Sequence, residues 1–467
     1  MSAWTVSGET FVRSRRVVLP DGVRSAALAI KSGRFTRVEE YDAVPEGAPR
    51  LEFGDLTLLA GIVDTHVHIN EPGRTEWEGF ETATSAAAAG GITTLVDMPL
   101  NSIPPATSAR GVAEKAAATE GRLQVDVGLW GGAVPENTTG DKRGLAHILE
   151  EGAHGFKCFM LPSGVLEFPF VTLDNIEDGL AQLRDRGVRF MVHAEMEGPI
   201  DAVAAEVAKQ DPRRYATYLA SRPPSAEEEA IRTLFGLAER TRVPIHVVHL
   251  SSQAGLKWLA RARDEGVPLT AETAPHYLHF AAEQIPDGAT WFKCAPPIRE
   301  AANREALWEA VRSGLIEMIV SDHSPCIPEL KRVPEGDFMS AWGGIAGLQF
   351  SFLAMFTEAR RRGFDIRDVS RWMSEKPAEH AGLAARKGRL AVGLDADFTV
   401  LDEAGETVVT VPEIRHKNKL TPYDGETLNG RVLATFVRGE CVYACPDAAK
   451  TFLLSEAARA GRWIKRS

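Results

Sequence analysis

Cysteine is scarce in this chain: five residues in 467 (Cys158, Cys294, Cys326, Cys441 and Cys445), with no CxxC pair. An odd count without pairing motifs argues against a disulfide framework and for a reducing, cytoplasmic setting. No apolar run approaches the roughly 20 residues that cross a bilayer. The N-terminal Met1-Ser2-Ala3-Trp4-Thr5 has neither the basic nor the apolar region of a secretory leader. Basic clusters are equally few. The formal net charge is -11, and the one tight basic triplet, Arg360-Arg361-Arg362, reads as a solvated helix end. Without a concentrated basic surface, neither a nucleic acid nor a membrane is the expected partner. Internal repeats and low-complexity tracts are also missing.

What is present is the composition of a soluble globular protein, 44% hydrophobic and 25% charged. The first sixty residues read as short β segments such as Ala26-Ala27-Leu28-Ala29-Ile30, broken by Gly or Pro. From about Leu59 the rhythm changes to apolar, β-branched runs alternating with helical patterns. Eight strand candidates fall at 61–66, 93–97, 124–130, 155–159, 189–193, 245–249, 268–273 and 317–322. Between them, Ser225-Ala226-Glu227-Glu228 has capping-box spacing ahead of Ile231, Leu234, Phe235 and Ala238. Ile176, Leu180 and Leu183 share a helical face that Gly187 would end, and Leu307, Ala310 and Val311 repeat the pattern up to Gly314. Eight βα units imply a (β/α)8 TIM barrel. After about Gly388 strand-and-loop texture returns at 397–401, 407–411 and 431–443. The expectation is an α/β chain with a β-sandwich built from both termini (1–58 and 388–467) around a barrel at 59–387, ending in a helical or loose tail.

Barrel chemistry sits at the C-terminal ends of strands, and that is where the ionisable residues fall. His66 and His68 lie two apart at the end of strand one, so both imidazoles face the same way and can reach one cation. Lys157 lies on strand four, His193 on strand five, His249 on strand six and Asp322 on strand eight. A lone HxH motif is weak evidence; six candidates at one end of five strands are not. Lys157 has two readings. It is ion-paired with a carboxylate, or its amine has taken up carbon dioxide to become a carbamate, an anion able to bridge two divalent cations. Cys158 would face the opposite side of that strand. His246, three residues before His249, is expected to face away, into the core or toward the helices. His276, His279 and His323 stay open between supporting and structural roles, and His147, His154, His380 and His416 look helical, loop-bound or exposed.

Together with Ser321-Asp322-His323-Ser324-Pro325 and the stretch from Gly388 to Asp397, these residues resemble the cyclic amidohydrolases. That family comprises dihydroorotases, dihydropyrimidinases or hydantoinases, and allantoinases. Within it, the loop Asn70-Glu71-Pro72-Gly73-Arg74-Thr75-Glu76-Trp77-Glu78-Gly79-Phe80 resembles the allantoinase branch. So do Asp97-Met98-Pro99-Leu100-Asn101-Ser102 and the run from Gly155 to Val165; the segment from His416 to Tyr423 is shared with some hydantoinases. Asn70 stands where dihydroorotases carry an arginine, and Pro162 where hydantoinases carry a tyrosine. Leu166 departs from the acidic residue found in many allantoinases.

The resemblance implies hydrolysis of the cyclic amide of allantoin to allantoate, in purine catabolism, with a hydantoinase as the runner-up. It implies two divalent cations, zinc first, with cobalt, manganese, iron or nickel as alternatives, and carbon dioxide for a Lys157 carbamate. His66, His68 and Asp322 would hold one cation and His193 and His249 the other, with Lys157 bridging and Asp322 carrying the proton. Backbone groups at Ala295 and Gly343 would grip the ring, and Ser163 would replace the missing tyrosine's contact. Arg74 is a candidate for the ureido tail, with an ion pair to Glu71 or Glu76 as the alternative. The expected partner is a small ureide and the expected assembly a homotetramer or dimer. The rival from another class is a non-catalytic scaffold protein, a branch that has lost metal ligands; none is lost here.

Overall fold

In the computed structural model, which describes residues 8–140, 143–454 and 459–466, eight parallel barrel strands follow one another around a closed wall. They are β1 (Ile62–Val67), β2 (Ile92–Asp97), β3 (Asp126–Leu129, resumed at Gly131–Gly132), β4 (Gly155–Phe159), β5 (Arg189–His193), β6 (Ile245–Val247), β7 (Leu269–Thr273) and β8 (Met318–Ile319). The first part of β3 pairs with β2 and the second with β4. Trp130 sits between the two parts, its backbone N–H donating to Asp97 O and its indole to Thr65 O. The ring closes where Val67 bridges His323 and the His68 N–H donates to His323 O at 2.7 Å. The inward faces of these strands supply Val63, Val96, Trp130, Met191 and Val248 to one packed cluster. Cys158 faces the helices instead, and all five cysteines are free and buried.

β6 and β8 are shorter than their apolar runs suggested. Each chain leaves the ladder just before a ligand candidate, and His249 (φ 37°) and Asp322 (φ 47°) both take left-handed backbone. For residues with a Cβ this conformation is unfavourable and persists only where the surroundings enforce it. Here it turns each side chain into the barrel mouth.

The helices begin where local chemistry satisfies their free N–H groups. Helix Leu173–Leu183 has a reciprocal cap between Thr172 and Asn175, and it ends four residues before Gly187. Helix Ala301–Arg312 runs to the left-handed Gly314. The capping box read at Ser225 is not formed: helix Pro224–Thr241 starts earlier, with proline at its first turn, and Glu228 pairs with Lys257. Proline's fixed φ and missing N–H suit that position.

Both ends of the chain share one mixed eight-stranded sheet. Its order is Glu440–Ala444, Thr427–Val437, Phe398–Val408, Thr57–Ala60, Thr10–Leu19, Gly22–Lys31 and Arg34–Glu39, with Arg50–Glu52 also paired to Thr10–Leu19. Phe398–Val408 is one bulged strand rather than the two segments read from the sequence. A separate core holds this sheet together, centred on Phe398 and Phe436 stacked 4.3 Å apart.

The C-terminal tail is not loose among its described residues. After helix Pro446–Thr451, residues 459–466 lie along the bottom of β3: Gly461 and Ile464 N–H groups donate to Leu123 O and Val127 O, and Ile464 enters the barrel core. A Cβ on Gly461 would lie 2.2 Å from Val125 O, so only glycine allows this approach. The N-terminal pentapeptide lies outside the described residues. Among them, no helix is long and apolar enough to cross a membrane.

Candidate metal centre

The six ligand candidates meet in one place. His66 Nε2 lies 3.2 Å, and His68 Nε2 3.8 Å, from Asp322 Oδ1. The His66 and His249 rings are 5.3 Å apart, and the His249 and His193 rings 4.6 Å. Lys157, His68, His193, His249 and Asp322 line a common cavity of about 330 Å³ at the C-terminal mouth of the barrel. All six residues are buried.

Two observations fit this cluster to divalent cations. His66 Nε2, His68 Nδ1 and His249 Nδ1 are buried with no hydrogen-bond partner. His66 Nε2 is near Asp322 Oδ1 without bonding to it, so the two atoms sit side by side as co-ligands do. An unpaired buried polar atom costs about 1–3 kcal/mol, which a cation would recover. Secondly, burial favours the neutral form of His68, His193 and His249. His68 and His249 are pushed well below the usual histidine range, and His193 to about 4, with Glu195 opposing the shift.

Lys157 lies wholly buried inside the barrel. No carboxylate forms an ion pair with it among the described residues; its Nζ sits 4.2 Å from the centre of the Phe159 ring. Burial lowers its pKa to about 8, against a smaller pull upward from Asp322. Burial thus favours the uncharged amine, the form able to act as a nucleophile.

Buried carboxylates that the sequence pattern did not mark orient the ligand candidates. Glu272 on β7 accepts from His66 Nδ1 at 2.5 Å and from His246 Nε2 at 3.2 Å. Glu195 accepts from His193 Nε2 at 2.7 Å and from Arg222 at 2.9 Å. The ring nitrogens left for a cation would therefore be His66 Nε2 and His193 Nδ1. Burial opposes both charges, but the facing His66 and His246, or Arg222 and His193, hold each carboxyl well below its ordinary range. Asp64 ties β1 to β8 by accepting from the His66 and Ser321 N–H groups. Glu272 left one signal in the sequence: like Lys157, it is a charge inside an apolar barrel strand.

Several other readings are corrected. His246 is buried in the core, as one of its readings had it, yet does not face away from His249; the short β6 and the turn at His249 leave both residues inside the barrel, with His246 packed 4.2 Å from His380. His380 closes a short helix and His154 and His416 lie in loops, as two of the offered readings had it, and all three are buried. His323 packs against His416 and approaches Glu78, while His279 pairs with Glu358. His276 is buried without a partner for Nε2. Arg74 is not a pocket residue: it pairs with Glu167, rather than Glu71 or Glu76, donates to Asn101 O and stacks on Trp77. Ser163, Ala295 and Gly343 do line the cavity, but the Ser163 hydroxyl faces Phe168 O at 2.7 Å. Pro162 lines it as well, and Leu166 is almost wholly exposed.

The pattern of the amidohydrolase family matches residues 57–442, from the last strand before the barrel to the last strand of the terminal sheet. The chain belongs to this family. Among other amidohydrolases, it is 48% identical to the allantoinase of Streptomyces avermitilis, over 93% of this chain and 96% of the relative. It is 42% identical to the allantoinase of Arabidopsis thaliana, over 93% of this chain and 88% of the relative. Among solved structures it resembles the L-hydantoinase (dihydropyrimidinase) of Arthrobacter aurescens, at a TM-score of 0.89 and 30% identity over 98% of this chain and 99% of that one. The dihydropyrimidinase of Brevibacillus agri follows at 0.86 and 26%, with the same coverage. This amidohydrolase thus shares its barrel and terminal sheet with hydantoinases and its greater sequence likeness with allantoinases.

Proposed function

We propose that this amidohydrolase opens the hydantoin ring of allantoin by hydrolysing a ring amide to give allantoate. The observation that carries the reading is the allantoinase likeness of 42–48% over 93% of the chain, against 26–30% for the hydantoinases of the same fold. Pro162 in the cavity wall agrees with it, because it leaves no phenol where the hydantoinase resemblance expects one.

The donor set suits two divalent cations: His66, His68 and Asp322 would hold one and His193 and His249 the other, and Lys157 as a carbamate would supply further anionic oxygen. Mixed imidazole and carboxylate ligands favour zinc. When bound, such a pair supplies Lewis-acid polarisation of the ring carbonyl and lowers the pKa of the attacking water. The remaining work belongs to the protein. Asp322 takes the proton of the attacking water and returns it to the ring nitrogen as the C–N bond breaks, so water's elements end on carbon and nitrogen. Glu272 and Glu195 hold His66 and His193 in one tautomer and orientation. The backbone at Ala295 and Gly343 grips the ring's N–C=O edge, and the walls around Phe159 and Trp342 restrict water.

The test is turnover of allantoin, hydantoin, dihydrouracil and dihydroorotate by zinc-reconstituted protein, with metal content measured on the same sample. The expected result is two cations per chain and a clear preference for allantoin. A preference for dihydrouracil or hydantoin would make the hydantoinase reading the better one, and protein without stoichiometric metal would favour the scaffold reading.

A further inference from the structure

The allantoin reading leaves open what recognises the exocyclic ureido group, the part of the molecule that hydantoin and dihydrouracil lack. Arg74 is turned away to Glu167 and cannot serve. Besides Lys157, three basic side chains border the cavity: Arg222, Lys293 and Arg332. Lys293 directs its ammonium at the backbone carbonyls of Met339 (3.1 Å) and Ala341 (2.6 Å), where it holds up the wall carrying Gly343. Arg332 is exposed at the rim, and no carboxylate among the described residues fixes it. Tyr218, also in the wall, spends its hydroxyl on Cys294 O at 2.6 Å.

Arg222 differs from all of these. It follows helix Tyr215–Ser221, and one guanidinium nitrogen donates to Glu195 Oε2 at 2.9 Å. The same oxygen accepts from His193 Nε2, so a single buried carboxylate ties Arg222 to a metal-ligand candidate. Its other guanidinium donors have no partner among the described residues, and the side chain, 24% exposed, borders the cavity. A planar fork held at one end with donors free at the other is pre-organised to meet a planar carbonyl.

We infer that Arg222 is the specificity-determining residue for the ureido tail, its free guanidinium N–H groups donating to the tail's carbonyl oxygen. The inference rests on the allantoin reading and adds a consequence. Because Glu195 joins Arg222 to His193, the tail is anchored on the same framework that orients the metal site, so the ring carbonyl is delivered in register with the chemistry. A site built to hydrogen-bond a group discriminates strongly against analogues lacking it, and a charge-assisted bond to a neutral acceptor accounts for about a tenfold effect or more.

The experiment measures kcat and KM for allantoin and hydantoin, with metal content, in wild type, Arg222→Lys, Arg222→Met, Arg222→Ala and Arg332→Met. The ratio of kcat/KM for allantoin over hydantoin is expected to fall about tenfold or more in R222K and R222M. KM should carry most of the change, and added guanidinium ion should partly restore the ratio in R222A. Arg222→Lys keeps a cation for Glu195 but loses the fork, so it separates recognition from support of His193. An unchanged ratio in both R222K and R222M overturns the inference. So does a parallel loss for both substrates accompanied by metal loss, which marks a purely structural role, or a fall in the ratio in R332M alone. The function reading is judged separately, by the wild type's own preference before any variant is compared.

Discussion

Replacing Glu272 tests whether the buried carboxylates, and not the ligands alone, set the metal affinity. Glu272 is wholly buried and receives two imidazole N–H groups, from His66 Nδ1 and His246 Nε2. Glu272→Gln keeps the shape and removes the charge, so His66 Nε2 becomes a weaker donor and its ring loses its fixed tautomer. Loss of such an outer partner costs about 10- to 100-fold in metal affinity or activity, or about 1.4–2.8 kcal/mol. Glu272→Ala goes further, leaving two buried N–H groups unpaired at about 1–3 kcal/mol each. The assay is equilibrium dialysis against graded chelator, with metal content by mass spectrometry and residual activity at each step. E272Q should release one cation per chain at chelator concentrations where wild type retains both, because only the His66 side is weakened. E272A should behave likewise and also lose thermal stability. If E272Q retains both cations and full activity across the chelator series, the orienting role is refuted.

Lys157→Ala should abolish activity and metal loading together, and a small carboxylic acid should partly restore both by filling the carbamate's place; a fully metallated, fully active K157A protein would sink the carbamate. Asp322→Asn should cut kcat at least about a hundredfold, as loss of a proton carrier does, measured in steady-state kinetics on metal-loaded protein. Lys387 sits buried among Asp126, Asp395 and Asp397, with contacts of 2.5–3.1 Å. Arg438 and Arg386 still face Asp126 and Asp395, but Lys387→Met leaves Asp397 without its cation and should destabilise the fold by about 3 kcal/mol, read as a lower thermal midpoint. His416 is buried and held neutral, its pKa pushed down to about 3. A histidine whose folded pKa is depressed contributes stability above its unfolded value near 6.5, and that contribution is lost as pH falls toward 3. The cost is on the order of 4 kcal/mol, so His416→Phe should flatten the fall of the thermal midpoint between pH 6.5 and pH 4.

Much of the fold was legible in the chain because barrel strands are buried on both faces and read as apolar, β-branched runs. The same reasoning overestimated β6 and β8, since an apolar run cannot reveal where a left-handed residue such as His249 or Asp322 takes the chain out of the ladder. The tail's helix at Pro446–Thr451 fits one of its two readings, but its seat on β3 was not legible, for a related cause. Its burial depends on Val125 and Val127 of a strand more than 300 positions earlier, and nothing local in 459–466 announces that.

For the site, the sequence by itself determined which residue types were on offer and on which side of a strand each would point, because a strand's two-residue period is a local property. His66 and His68 on one face, or Lys157 opposite Cys158, needed nothing more. The tertiary structure alone decided who orients whom. Glu272 meets His66 across 206 residues, Arg222 reaches His193 only through Glu195, and Arg74 is drawn off to Glu167. A carboxylate has no spacing rule of its own. Its role follows from burial and from the nearest partner in space, and both exist only once the barrel has closed.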